Sequence, residues 1–102
     1  MTLVQLVLPL YDNAGRAQPR ARFTETLREL TDAFGGATAF TRSPAEGLWE
    51  SPDGQIKKDD VVVVEVMIET VDGSWWRHYS ATLEARFEQE AILVRALPCL
   101  EL

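Results

Sequence analysis

The chain has 102 residues, 46% hydrophobic and 25% charged, and sixteen acidic against ten basic side chains leave a net charge of −6. That length suits one domain, spanning residues 1–102, around a single core. The acidic balance (pI ≈ 4.7) argues against nucleic acid and anionic membrane as partners, because both reward clustered Lys and Arg. One Cys excludes an intramolecular disulfide, and with a single His beside it leaves no Cys/His zinc site. The longest apolar run, Val61 to Val64, is far short of the roughly 18 residues a bilayer crossing needs. Met1-Thr2-Leu3-Val4 lacks the basic stretch and cleavage site of a signal peptide, so a cytoplasmic domain is expected.

Leu3-Val4-Gln5-Leu6-Val7-Leu8-Pro9-Leu10 is an apolar run ended by Asp12-Asn13-Ala14-Gly15, which predicts a mostly buried strand and then a turn. Phe23, Leu27, Leu30 and Phe34 recur at helical spacing, with Pro19 suited to the first turn and Gly35-Gly36 to the stop. Ala37-Thr38-Ala39-Phe40-Thr41 predicts a second strand. Ser43-Pro44 interrupts it, Gly47-Leu48-Trp49-Glu50 resumes it as a bulged continuation, and Pro52-Asp53-Gly54 turns the chain. The Val-rich stretch within Asp59 to Val71 predicts the longest strand, since β-branched residues disfavour helix and suit a pleated surface. Asp72 or Ser74 caps a second helix whose buried stripe is Trp76, Tyr79, Leu83 and Phe87. Ile92 to Leu97 is the last strand, closed by Pro98.

The order is β-α-β-β-α-β. Right-handed crossovers then place both helices on one face of a four-stranded antiparallel sheet, in spatial order 4-1-3-2: a ferredoxin-like α+β sandwich. Alternation assigns Val4, Leu6, Leu8 and Leu10, then Val62, Val64, Val66 and Ile68, then Ile92, Val94 and Ala96, with Phe40, to the side under the helices. The opposite side carries Leu3, Gln5 and Val7, Val61, Val63, Glu65, Met67 and Glu69, and Leu93, Arg95 and Leu97. No helix remains to cover that half-aliphatic face. A second copy packed through a two-fold axis is the simplest cover, so a homodimer is expected.

On that face Gln5, Glu65 and Arg95 occupy three neighbouring strands. They read either as an ion pair that fixes register, within one chain or across a dimer axis, or as a ligand-orienting cluster in which Glu65 acts as a base. His78 falls on the solvent side of the second helix and is a weak candidate base. Cys99 reads as an incidental thiol. Asp59-Asp60 and Glu65/Glu69 are metal-ligand candidates only in the weakest sense, the adjacent pair at the strand's start reading as solvated, and no metal or cofactor is expected. Trp49 and Trp75 either pack on the core or cover the sheet edge against a partner. Tyr11 and Arg42, each just past a strand end, are placed at the mouth of any cleft.

The stretches Leu8-Pro9-Leu10-Tyr11-Asp12-Asn13, Phe34 to Phe40, Pro44 to Trp49, Trp75-Trp76 and Leu83 to Glu90 resemble a family of short, uncharacterised bacterial proteins of about this length. The resemblance spans almost the whole chain and carries no activity or catalytic residue with it. Two function classes remain. One is a non-enzymatic dimer binding a partner protein or small ligand, favoured by the missing motifs and the apolar face. The other is a cofactor-independent enzyme of the dimeric α+β barrel type using Glu65, Arg95, Tyr11 or His78, which requires a cavity of about 300 Å³ or more.

Overall fold

A computed structural model describes residues 1–42, 49–50, 56–57 and 60–102, with side chains described for 1–40 and 60–102. The elements in chain order are β1 (Thr2–Pro9), α1 (Arg20–Phe34), β2 (Thr38–Arg42), β3 (Trp49–Glu50), β4 (Ile56–Lys57), β5 (Val61–Ile68), α2 (Gly73–Arg86) and β6 (Leu93–Pro98). The main sheet has four antiparallel strands in the order β2-β5-β1-β6, the expected ferredoxin-like order read from its other edge.

The core is the layer between this sheet and the two helices. Val4, Leu6 and Leu8 of β1 and Val62, Val64, Val66 and Ile68 of β5 are buried with Leu30 of α1 and Trp76, Tyr79, Leu83 and Phe87 from α2 and its C-terminus. Leu6, Leu8, Leu30, Leu83 and Phe87 expose nothing, so the space between sheet and helices is filled. Each of these large side chains contributes roughly 1.5–3 kcal/mol by burial.

Helix ends are built from local chemistry. Asp72 caps α2, its carboxylate accepting from the Ser74 and Trp75 amides. Gly35 ends α1 in the left-handed region at φ 85°, its amide donating to the Thr31 carbonyl. Gln18, buried, donates from Nε2 to the Phe87 carbonyl just past α2 and accepts from Arg22, which ties the start of α1 to the end of α2.

Several expectations are corrected. Pro19 stands one residue before α1, at the cap, where its extended ψ of 133° does not need a helical turn. Phe40 is not under the helices: β2 pairs Phe40 with Val63, which places it on the open face, 41% exposed. The small residues flanking it, Ala37, Thr38 and Ala39, give that strand no apolar alternation to read. Ala96 does lie on the helix side, opposite Val4, yet it is exposed there because β6 is an edge strand. Trp49–Glu50 does not resume β2 in the sheet; it pairs with Ile56–Lys57 in a separate two-stranded ribbon. A partner a few residues away costs less loop-closure entropy than a return to the sheet. The Ser43-Pro44 interruption, the Gly47-Leu48 stretch and the Pro52-Asp53-Gly54 turn lie outside the described residues. Among the described residues, no helix is long and apolar enough to cross a membrane.

Candidate functional site

The open face of the sheet is organised in rows across the strands. Register sets Thr38 beside Glu65, Glu65 beside Gln5 and Gln5 beside Arg95, so one polar row runs from edge to edge. Apolar rows flank it: Met67, Leu3 and Leu97 on one side, and Phe40, Val63, Val7 and Leu93 on the other. Met67, Phe40, Leu93 and Leu97 are all exposed. Val63 is only 8% exposed, because Val7 and Phe40 stand beside it on the neighbouring strands.

Within the polar row Gln5 is the connector. Its Nε2 donates to Glu65 Oε2 at 2.8 Å, and its Oε1 accepts from Arg95 Nε at 2.8 Å. Glu65 and Arg95 are therefore linked through Gln5 rather than by the direct intrachain ion pair considered from sequence. The reason is spacing: β1 lies between them, so they stand two strand spacings, roughly 10 Å, apart, and the amide between them matches a carboxylate with one end and a guanidinium with the other. Among the described residues neither Glu65 nor Arg95 has an ion-pair partner, and Glu65 Oε1 has no hydrogen-bond donor.

The polar row opens into a groove of about 520 Å³ at the β2 edge. Its floor is Leu3, Glu65, Met67, Thr38 and Phe40 on the open face, and its wall is the α1–β2 connection, Phe34 to Ala37. Among the described residues Glu65 is the one ionisable group lining it. Phe34 is held in place from behind, stacked on Trp76 at 5.4 Å and edge-on to Trp75 at 4.9 Å. Gly35 and Gly36 leave open space where a Cβ would stand, which keeps that wall low. Met67 also accepts a contact from the Cys99 thiol at 3.5 Å, so Cys99 is a neighbour of the floor rather than a loose end.

The other candidates are dispersed. Tyr11 is exposed beyond the far end of β1, about 26 Å along the strand from Leu3, and cannot reach the groove. His78 is exposed on α2, its Nδ1 3.0 Å from the Ser74 carbonyl, also away from the groove. Trp75 packs with Phe34, Trp76 and Tyr79 in an aromatic cluster between the helices instead of facing outward, because its indole finds Tyr79 one turn on, 4.9 Å away. Arg42 ends β2 beside Val61, and the side chains of Arg42 and Trp49 lie outside the described residues. Among the described residues no His, Cys, Asp and Glu cluster is arranged to hold a metal.

Sequence reasoning missed Phe34, Gly35, Gly36, Thr38 and Phe40 as site residues. The double glycine stops the helix, and the same absence of side chains lowers the wall; only the strand register shows the second role.

No protein-family model matches the chain, and no curated protein matches it. Among solved structures, the fold is similar to that of a phage SAM lyase in complex with S-methyl-5'-thioadenosine, at a TM-score of 0.64 and 13% identity over 94% of this chain and 79% of that one. At such low identity the likeness is one of fold.

Proposed function

We propose that this chain is a cytoplasmic, self-associating domain that binds a small organic ligand in the groove at the β2 edge of its open sheet face. The observation that carries the reading is the composition of that groove among the described residues: a single carboxylate, Glu65, with one oxygen uncommitted, among Leu3, Phe34, Phe40 and Met67. Apolar walls with one or two placed polar groups are the usual make-up of a small-molecule site, and about 520 Å³ lies within the usual size range. The ligand class we favour is an adenosyl thioether. The purine and methylthio groups suit the apolar walls, the ribose hydroxyls or exocyclic amine suit a carboxylate acceptor, and the similar fold holds such a molecule in the phage SAM lyase. Self-association is supported by the exposed apolar rows, which no helix covers among the described residues.

The test is calorimetric titration with S-methyl-5'-thioadenosine. Saturable one-to-one binding is expected, weakened about ten- to a hundredfold by Glu65→Gln, the cost of a lost charged hydrogen bond. Absence of heat and of any thermal shift at millimolar ligand overturns this ligand class.

A second reading is favoured by the uncommitted Glu65 oxygen together with the lyase neighbour: a cofactor-independent enzyme in which Glu65 takes a proton from the bound molecule. Incubation with SAM, followed by chromatography for released S-methyl-5'-thioadenosine, separates the two. Turnover abolished by Glu65→Gln in a variant that keeps the wild-type circular dichroism supports the enzyme; binding without turnover supports the binding domain.

A further inference from the structure

We infer that two copies pack open face to open face about a two-fold axis running along β1 through Gln5, so that the partner's Arg95 meets Glu65 and completes the groove. This rests on the self-association proposed above and adds its register. The polar row is asymmetric about Gln5: Glu65 lies one strand to one side and Arg95 one strand to the other. Each charge lacks an ion-pair partner within its own chain among the described residues. Covering the face removes water from both, and an unpaired charge is costly to bury.

An axis along β1 exchanges the two sides. It sets Glu65 over the partner's Arg95, Arg95 over the partner's Glu65, and Gln5 over its own copy. The apolar rows follow the same operation: Met67 meets the partner's Leu97, and Val63 meets the partner's Leu93. Facing sheets sit ~10 Å apart, which an extended Glu and Arg span together. An axis running across the strands would instead stack Glu65 on Glu65 and Arg95 on Arg95, which like-charge repulsion opposes. An axis moved by one strand, onto β5 or β6, would stack Glu65 or Arg95 on its own copy, and one halfway between strands would leave neither charge opposite the other.

The sheet order has a further consequence. β6 is the edge next to β1, whereas β2 lies two strands from it on the other side. An axis on β1 therefore covers β5, β1 and β6 and leaves β2 overhanging at each rim. Thr38 and Phe40 stay open to ligand, while the partner's Arg95 and the partner's Leu97 close the inner end of the groove above Glu65 and Met67. The assembled site holds one carboxylate and one guanidinium, the second supplied in trans.

Light scattering on a size-exclusion column, with charge swaps, tests this. The wild-type chain is expected near twice 11.5 kDa. Arg95→Glu and Glu65→Arg are each expected to fall toward 11.5 kDa at a concentration where the wild type is paired, and an equimolar mixture of the two to return to the doubled mass. That return also shows that both variants are folded. A wild-type monomer defeats the self-association reading itself. A wild-type dimer whose mass neither swap changes, or a wild-type trimer, leaves self-association standing and overturns the β1 axis.

Discussion

Gly35 and Gly36 stand side by side, yet only the first is in a backbone conformation that a side chain resists. Gly35 holds φ 85° at the end of α1, and neither residue has an atom within 4 Å of where a Cβ would stand. Gly35→Ala therefore meets no clash and still costs about 1 kcal/mol from left-handed strain, whereas Gly36→Ala is expected to be neutral or slightly stabilising. Urea unfolding of the pair reads the difference, and equal losses would contradict it. Thr26 is a second residue whose role rests on single atoms. Fully buried, its hydroxyl donates to the Arg22 carbonyl and accepts from Arg86 Nη1, each at 2.8 Å. Thr26→Val keeps the shape and removes the acceptor, so a loss of about 1–3 kcal/mol is expected in the same measurement.

The two helices are clamped together by a polar cluster beside the core. Arg86 of α2 reaches Glu29 of α1 at 2.8 Å and Glu25 at 3.7 Å, and the Tyr79 hydroxyl donates to Glu29 at 3.0 Å. The Arg86 hydrogen bond, aided by Tyr79, holds the Glu29 carboxyl below its ordinary value of 4.5. Burial first, and then the Glu29 carboxylate, push the Tyr79 phenol above its ordinary value. A carboxyl with a lowered folded-state pKa adds stability that is present above its unfolded value and lost as pH falls through the folded one. The wild-type melting temperature should thus drop more between pH 6 and pH 3 than that of Glu29→Gln. Parallel pH profiles for the two proteins would show that the clamp contributes nothing.

For the molecule as a whole, the uncovered sheet face separates folding from assembly. Val63 is enclosed by its own neighbours on that face, so Val63→Asp would disturb the fold as well as any interface. Leu93 is 53% exposed on the edge strand, which makes it the cleaner probe. Leu93→Asp is expected to keep the wild-type circular dichroism while reducing the solution mass toward the monomer. Retention of the wild-type mass would remove Leu93 from the contact surface. An acidic net charge of −6 opposes the proposed self-association at low salt, so added salt is expected to favour it, and light scattering across a salt series checks this.

Hydrophobic periodicity placed both helices, their apolar stripes and the two faces of the sheet, and the handedness of the crossovers set the order of the four main strands. Those features depend on spacings of 3.6 and 2 residues along the chain, which the α2 stripe and the buried set of each central strand follow, while Val63 is buried on the other side of β5 and only Leu30 of the α1 stripe is fully enclosed. Gln5, Glu65, Met67 and Arg95 were legible as one surface for the same reason. The side of the sheet that Phe40 occupies, the interposition of Gln5 between Glu65 and Arg95, and the groove walled by Phe34 to Ala37 were decided only by tertiary structure. Each depends on the register between strands distant in sequence, and register is a property of pairs that no single segment encodes.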